Sequence, residues 1–167
     1  MRYKVRIIGD PILRKKAEDV EVFDKKLRKF VDEMIDIMYV EDGIGLAAPQ
    51  IGFSNRIIVV DASELIKGEY PRAFINPEII HFSEETDVKE EGCLSIPGVH
   101  EEVTRSVEIV VKYQDEKGRQ FTETYTDWLA RILQHEIDHL NGVLFVDRIS
   151  PIKRNLLITQ KAIPAQF

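Results

Sequence analysis

What the sequence lacks already narrows its function. It has one cysteine, Cys93, in 167 residues, which excludes an intrachain disulfide and favours a reducing compartment. No apolar run approaches the roughly 20 residues that span a bilayer, and the N-terminal stretch shows no targeting signal. A formal net charge of −6 provides no broad basic surface for nucleic acid. We therefore expect a cytoplasmic protein that neither enters a membrane nor recognises nucleic acid directly.

The composition is that of an ordinary globular protein, with 44% hydrophobic and 31% charged residues. No repeat, low-complexity tract or linker divides the chain, and its length suits one unit with a sizeable core. We expect a single domain over residues 1–167.

Three segments have the pattern of helices, each beginning after a residue type that commonly caps an N-terminus. They are residues 25–39 after Asp24, a segment capped by Asp127 and running to Asn141, and a segment opened by Ser150 and Pro151 that Pro164 should end. The first carries apolar residues at intervals of three and four, as an amphipathic helix does. Gly142 is a natural stop for the second.

Strands are indicated between these helices. Residues 56–61 form a short apolar run, and residues 106–125 contain two β-rich runs around a polar turn, as in a hairpin. Residues 73–76 and 93–96 are weaker candidates, and the glycine-rich residues 41–52 indicate a structured loop. The order of elements predicts an α+β fold in which antiparallel sheets wrap around a central helix, flanked by an N-terminal and a C-terminal helix.

The segment "QHEIDHLNG" carries the pattern H-E-x-x-H on the predicted central helix. Residues four apart share one helix face, so His135 and His139 can direct two imidazoles at a single ion. Glu136 would flank that ion without binding it, where a general base for hydrolysis should stand. A chance pattern on a surface helix is the simpler alternative. The apolar residues of the same helix argue against it, because they indicate a helix that packs in the core.

A catalytic metal usually takes three protein ligands, and the third is not obvious here. The chain after His139 contains neither histidine nor glutamate, and Asp147, followed by an arginine, suits a structural ion pair better. Upstream, His81 and His100 are expected to be surface or packing residues. Cys93 offers the softest ligand and becomes the preferred third one, although a lone cysteine is more often a small buried residue.

Three segments together resemble the signature motifs of peptide deformylases, in the same order and spacing. They are "GIGLAAPQ" at 43–50, "EGCLS" at 91–95 and "QHEIDHLNG" at 134–142. The resemblance implies a catalytic domain that removes the formyl group from the N-terminal formyl-methionine of nascent bacterial or organellar polypeptides and releases formate. It implies the ligands Cys93, His135 and His139, with a metal-bound water as nucleophile and Glu136 as general base and acid. Gln50 and the backbone N–H of Leu94 would then stabilise the oxyanion.

The resemblance also places the substrate. Main-chain groups near Ile44, Gly45 and Gly92 would pair with an extended peptide like an added strand. The methionine side chain would enter an apolar slot with the plausible walls Ile44, Leu94, Trp128 and Ile132, for each of which a core role is equally plausible. The expected partners are N-formylmethionyl nascent peptides, and a transient contact with the ribosome is left open.

Two positions depart from the family pattern. Asp127 stands where many members have glycine, and His100 stands where many have arginine. The resemblance implies one divalent ion, Fe²⁺ in the first place, with Zn²⁺, Ni²⁺ or Co²⁺ as alternatives. Two other functions are weighed against a deformylase: a metallopeptidase of another kind, and a module with a purely structural metal. The lack of histidine and glutamate after His139 argues against another metallopeptidase. Glu136 beside a motif histidine argues against a purely structural metal.

Overall fold

The computed structural model describes residues 3–167, and this part of the chain folds into three α-helices and two sheets. The helices are α1 (Lys25–Val40), α2 (Asp127–Leu140) and α3 (Pro151–Thr159). Short 3₁₀ segments occupy Pro11–Arg14, Ala48–Ile51 and Phe145–Asp147. The N-caps predicted for α1 and α3 are confirmed, because the side chains of Asp24 and Ser150 accept hydrogen bonds from Leu27 N and Lys153 N.

The strands form two antiparallel sheets. They are β1 (Gly45–Ala47), β2 (Ile57–Val60), β3 (Arg72–Phe82), β4 (Thr86–Cys93), β5 (Ile96–Ser106), β6 (Glu108–Gln114) and β7 (Gln120–Thr126). The described strands make a five-stranded sheet of order β1-β2-β3-β6-β7 and a separate hairpin of β4 and β5. The α+β class with antiparallel sheets and helices at both ends, predicted from the sequence, is confirmed.

Helix α2 lies between the two sheets and contacts both. Leu129, Leu133, Ile137 and Leu140 recur at i and i+4 or i+3, so they share one face and pack against buried residues of the large sheet such as Phe74. The opposite side of α2 is turned toward the hairpin, where its buried groups are polar. Burial on both sides fixes the helix rigidly, which suits a scaffold for chemistry. No helix among the described residues is long and apolar enough to cross a membrane.

The start of α2 differs from the prediction. Asp127 is not the cap: Thr126 takes that place, and Asp127 is the first helical residue, with φ at 52°. This left-handed backbone conformation is free of strain for glycine and tolerated by aspartate. It gives a physical reason why glycine, the residue that the family resemblance implied for this position, would suit it.

Three further predicted elements have other boundaries in the structure. Residues 93–96 are not a strand: Leu94 and Ser95 form the turn that joins β4 to β5. The predicted strand at 73–76 is the start of the much longer β3. Helix α3 ends at Thr159, well before Pro164, because Lys161 adopts a left-handed φ of 59° and Ala162 N bonds back to Leu157 O.

Candidate metal centre and peptide cleft

Three predicted ligands from distant parts of the chain meet at one point. His135 and His139 project from α2, and Cys93 comes from the end of β4. Their ligand atoms all lie within 4.8 Å of one another, and Cys93 Sγ is 3.3 Å from Nε2 of His139. Among the described residues, this is the one such group of histidine, cysteine and carboxylate side chains. The side chains that could hold a metal are thus the three that the sequence indicated.

The ring of His135 is oriented by a carboxylate. Its Nδ1 donates a hydrogen bond of 2.9 Å to Glu91, which leaves Nε2 for a metal. Glu91 is itself held by two arginines, with Arg105 Nε at 2.6 Å and Arg131 Nη1 at 2.5 Å from its Oε2. Arg105 also reaches Asp138 on α2, at 2.9 Å. This buried network joins β4, β5 and α2 and fixes the direction in which His135 points.

The charges of this network determine the state of Glu91. Burial alone would raise its pKa, but the hydrogen bonds from His135 and Arg105 outweigh burial and lower the pKa of Glu91 to about 2. The carboxylate therefore stays ionised and keeps accepting the Nδ1 proton of His135. Burial lowers the pKa of His135, but its hydrogen bonds with Cys93 and Glu91 outweigh burial and raise this pKa well above its usual value. A metal that binds Nε2 would therefore displace the proton of that nitrogen, while Glu91 keeps the other proton on Nδ1.

The donor set fits a divalent metal ion. One thiolate and two imidazoles are ligands that zinc and ferrous iron both accept. Burial and the neighbouring His135 lower the pKa of His139 well below its usual value, so this ring is neutral and ready to bind. Two buried polar atoms in the centre, Nδ1 of His139 and Oε1 of Glu136, have no hydrogen-bond partner within the described part of the chain. An orphaned carboxylate oxygen beside the ligands is what an open catalytic site requires, and a closed structural site does not.

Glu136 is enclosed between the three clustered side chains and Gly45 at the start of β1. It is 6% exposed, and burial raises its pKa to about 7. A carboxyl of this kind can both take up and release a proton near neutral pH. Gly45 makes its position possible, because a Cβ on that residue would lie 2.7 Å from Oε2 of Glu136.

We expect Gly45→Ala to displace Glu136 and to lower kcat by about ten- to a hundredfold, since small misplacements of a catalytic group are costly. The three atoms nearest to this methyl position all belong to Glu136 and none to a ligand side chain, so metal content should be retained. Steady-state kinetics and metal analysis of the same preparation measure both quantities. Gly68→Ala serves as the control, because a Cβ there meets no atom within 4 Å. Its φ of 91° adds a backbone strain that Gly45 lacks, so the control tests strain without the contact. Equal activity of the two variants would contradict the contact.

The two predicted oxyanion donors both lie next to Cys93. Gln50 is 2% exposed in the 3₁₀ segment after β1, and its Nε2 is 3.5 Å from Cys93 Sγ. Leu94 follows Cys93 directly and its side chain packs beside Gly43. Gln50 comes from the large-sheet side and Leu94 from the hairpin, so the two groups approach the centre from different sheets.

A cleft of about 620 Å³ opens above this centre. Its lining contains every predicted site residue except His139: Ile44, Gly45, Gln50, Gly92, Cys93, Leu94, Trp128, Ile132, His135 and Glu136. Ile132 is buried at the floor, whereas Ile44 and Trp128 are over a third exposed. This volume suits a ligand of a few residues, held over an apolar slot.

Two strand edges border the cleft. Among the described strands, β1 pairs with β2 alone and β4 with β5 alone, so each has one unpaired edge. The carbonyl of Ile44 already accepts from Asp61 N at 2.9 Å. Alternation along an antiparallel strand then turns the N–H and C=O of Gly45 toward the unpaired edge. Gly45 can therefore pair with a peptide through its main chain, and Ile44 contributes mainly its side chain.

The remaining sequence candidates fall outside the centre. His81 is exposed near the end of β3, and Asp147 pairs with Arg14 at 2.6 Å, as expected of a structural ion pair. His100 is exposed, but it lines the cleft, opposite Gly92 in the hairpin. The sequence reasoning missed the partners Arg105 and Arg131. The one available signal was the charged Glu91 next to an otherwise apolar motif.

Comparisons with known proteins agree with the motifs. The sequence profile of the family described as polypeptide deformylase matches residues 2–155. The peptide deformylase of Thermotoga maritima is 52% identical over 155 residues, which cover 93% of this chain and 92% of that protein. The Rhizobium meliloti peptide deformylase is 47% identical over 152 residues, covering 91% and 87%.

Solved structures agree as well. The crystal structure of the Thermotoga maritima enzyme has a TM-score of 0.85 at 50% identity, covering 90% of this chain and 99% of that one. The peptide deformylase of Synechococcus elongatus, solved in complex with actinonin, has a TM-score of 0.91 at 40% identity, covering 98% and 90%.

Proposed function

This chain belongs to the polypeptide deformylase family and is an enzyme that hydrolyses the N-terminal formyl group of polypeptides, and we propose that it does so with one divalent metal ion and Glu136 as base. The observation that carries this proposal is the orphaned carboxylate oxygen of Glu136, buried beside Cys93, His135 and His139 at the floor of a cleft. The catalytic unit proposed is the whole chain, residues 1–167.

The ion, held by Cys93, His135 and His139, would supply Lewis acidity that activates a water molecule and polarises the formyl carbonyl. Glu136 takes the proton of the attacking water. As the carbonyl carbon becomes tetrahedral, the amide of Gln50 and the N–H of Leu94 stabilise the developing oxyanion. Glu136 then passes its proton to the departing peptide amine, and the products are formate and a free N-terminus.

The cleft explains why a formyl group is the target. A formyl carbon carries only hydrogen on one side, so water reaches it with little hindrance above the buried floor. The peptide would lie between the unpaired edges of β1 and β4 and pair with Gly45 and Gly92. The methionine side chain would enter the slot formed by Ile44, Leu94, Trp128 and Ile132. Ile132 is the wall best supported by burial, because it belongs to the core and lines the cleft at once.

Several finer points belong to the proposal. By the family resemblance the native ion is Fe²⁺, although the general affinity order favours Zn²⁺ for such a donor set. Its substrates would be N-formylmethionyl nascent peptides in the bacterial cytoplasm, and a transient ribosome contact would bring enzyme and substrate together. Analysis of the metal in anaerobically purified protein decides between the ions.

The function is tested by formate release from a formyl-Met tripeptide by anaerobically purified protein. We expect release in proportion to bound metal, loss on chelation and recovery on adding Fe²⁺. The same tripeptide without the formyl group should remain intact. Cleavage of the unblocked peptide would indicate a metallopeptidase, and bound metal without either activity would indicate a structural site.

A further inference from the structure

The amide of Gln50 is held at both of its ends. Its Oε1 accepts a hydrogen bond of 2.9 Å from Ala47 N, and its Nε2 donates one of 3.2 Å to Ser95 Oγ. The same Nε2 lies 3.5 Å from Cys93 Sγ. An amide nitrogen carries two hydrogens. Ser95 accepts one of them, and the other remains on the side of Cys93, where the reaction takes place.

The opposite orientation of the Gln50 side-chain amide, with its oxygen and nitrogen exchanged, would be strongly disfavoured. It would turn the NH₂ group toward the N–H of Ala47, so two donors would face each other in a buried place. It would also place Oε1 beside the sulfur of Cys93, which is negatively charged when it binds a metal. Only the observed orientation directs an N–H group of Gln50 toward an oxyanion. Because Ser95 Oγ accepts a hydrogen bond from Nε2, it favours this orientation.

Ser95 is itself fixed in position. It is fully buried in the turn after Leu94, and its carbonyl accepts from Ile8 N at 2.8 Å. Two residues earlier, Arg6 N donates to the carbonyl of Gln50 at 2.6 Å. The N-terminal segment thus bridges the main chains of Gln50 and Ser95, while their side chains bond directly. The two residues behave as one unit that spans the large sheet and the hairpin.

We propose that Ser95 is a positioning residue that orients the Gln50 amide and sets it in register with the N–H of Leu94. Ser95 does not touch the substrate and acts through Gln50. This inference rests on the proposed function, in which Gln50 donates to the oxyanion.

We expect Ser95→Ala to lower kcat on a formyl-Met peptide by about five- to thirtyfold, less than the hundredfold or more that loss of an oxyanion donor costs. KM should stay within about twofold and metal content should not change. The decisive comparison is a double-mutant cycle with Gln50→Ala. If Ser95 acts through Gln50, adding Ser95→Ala to Gln50→Ala costs little more. Equal losses in both backgrounds, or no loss at all, would overturn the proposal.

Ser83→Ala is the control, because it removes a serine whose Oγ, like that of Ser95, accepts a hydrogen bond, here from Glu108 N at the remote turn between β3 and β4. Its kcat should equal that of the wild type. Wild-type NMR gives a second measurement that needs neither a folded variant nor activity. The side-chain amide hydrogens of Gln50 should show NOEs to the Cβ hydrogens of Ser95, and NOEs to the N–H of Ala47 in their place would refute the orientation. Absence of formate release by the wild type would instead contradict the proposed function.

Discussion

Glu136→Ala is expected to lower kcat by about 10³-fold while the metal stays bound, within the range usual for loss of a general base. The carboxylate is not one of the three clustered ligand side chains, so its removal leaves Cys93, His135 and His139 in place. Its Oε1 has no partner among the described groups, so the variant breaks no hydrogen bond of that oxygen. The measurement is formate release, with metal analysis of the same sample.

Glu116→Ala is the control for that experiment, since this glutamate lies in the turn between β6 and β7 and is not among the residues that line the cleft. Its kinetic constants and metal content should match the wild type. Activity of Glu136→Ala within about tenfold of the wild type would contradict its role as base. Loss of metal from that variant would show instead that Glu136 supports the centre structurally.

Cys93→Ala is expected to lose its metal during purification, with an affinity weakened by more than about a hundredfold. That figure is a lower bound, because removing only a hydrogen-bond partner of a ligand already costs ten- to a hundredfold. The other two ligands sit on one rigid helix, so they remain in place but cannot replace the thiolate. Metal analysis after dialysis measures the loss.

The single cysteine makes this test unusually clear. A thiolate-to-metal absorption band in the Co²⁺-loaded wild type can come only from Cys93, and it should be absent from Cys93→Ser. Bound metal should also protect the wild-type thiol from alkylation. Unchanged metal content in Cys93→Ala would refute the ligand assignment, and the search for a third ligand would return to the acidic residues of the cleft.

The sequence predicted the parts of the centre that depend on local pattern. The spacing of His135 and His139 on an amphipathic helix implied a shared face, and the absence of any donor after His139 in the expected place pointed upstream to Cys93. The hairpin of β4 and β5 was missed, because half of the residues of β4 are charged and its sequence lacks the alternation of apolar and polar residues that is typical of a strand, although their burial does alternate. Its stability comes from pairing with β5, which a local pattern does not report.

The hydrogen bonds that hold the ligand side chains and Gln50 in place could not be predicted from local sequence patterns either. Arg105 and Arg131 are ordinary charged residues in the sequence, and only the fold brings both guanidinium groups to Glu91. In the sequence, Ser95 is the last residue of the motif "EGCLS", and no role was predicted for it. Such contacts join residues from separate elements, so their partners cannot be deduced from spacing along the chain.

The N-terminal segment makes long-range contacts that bear on when the centre can assemble during folding. Its hydrogen bonds reach Gln50 and Ser95, and farther along Arg14 bonds to the carbonyl of Gly142 and to Asp147, 133 residues away in the sequence. Closing loops of this length costs entropy before the contact repays it, so such contacts form late. During synthesis, Gln50 and Ser95 emerge long before α2 does. The active centre can therefore assemble only after α2 and the segment up to Asp147 have been translated.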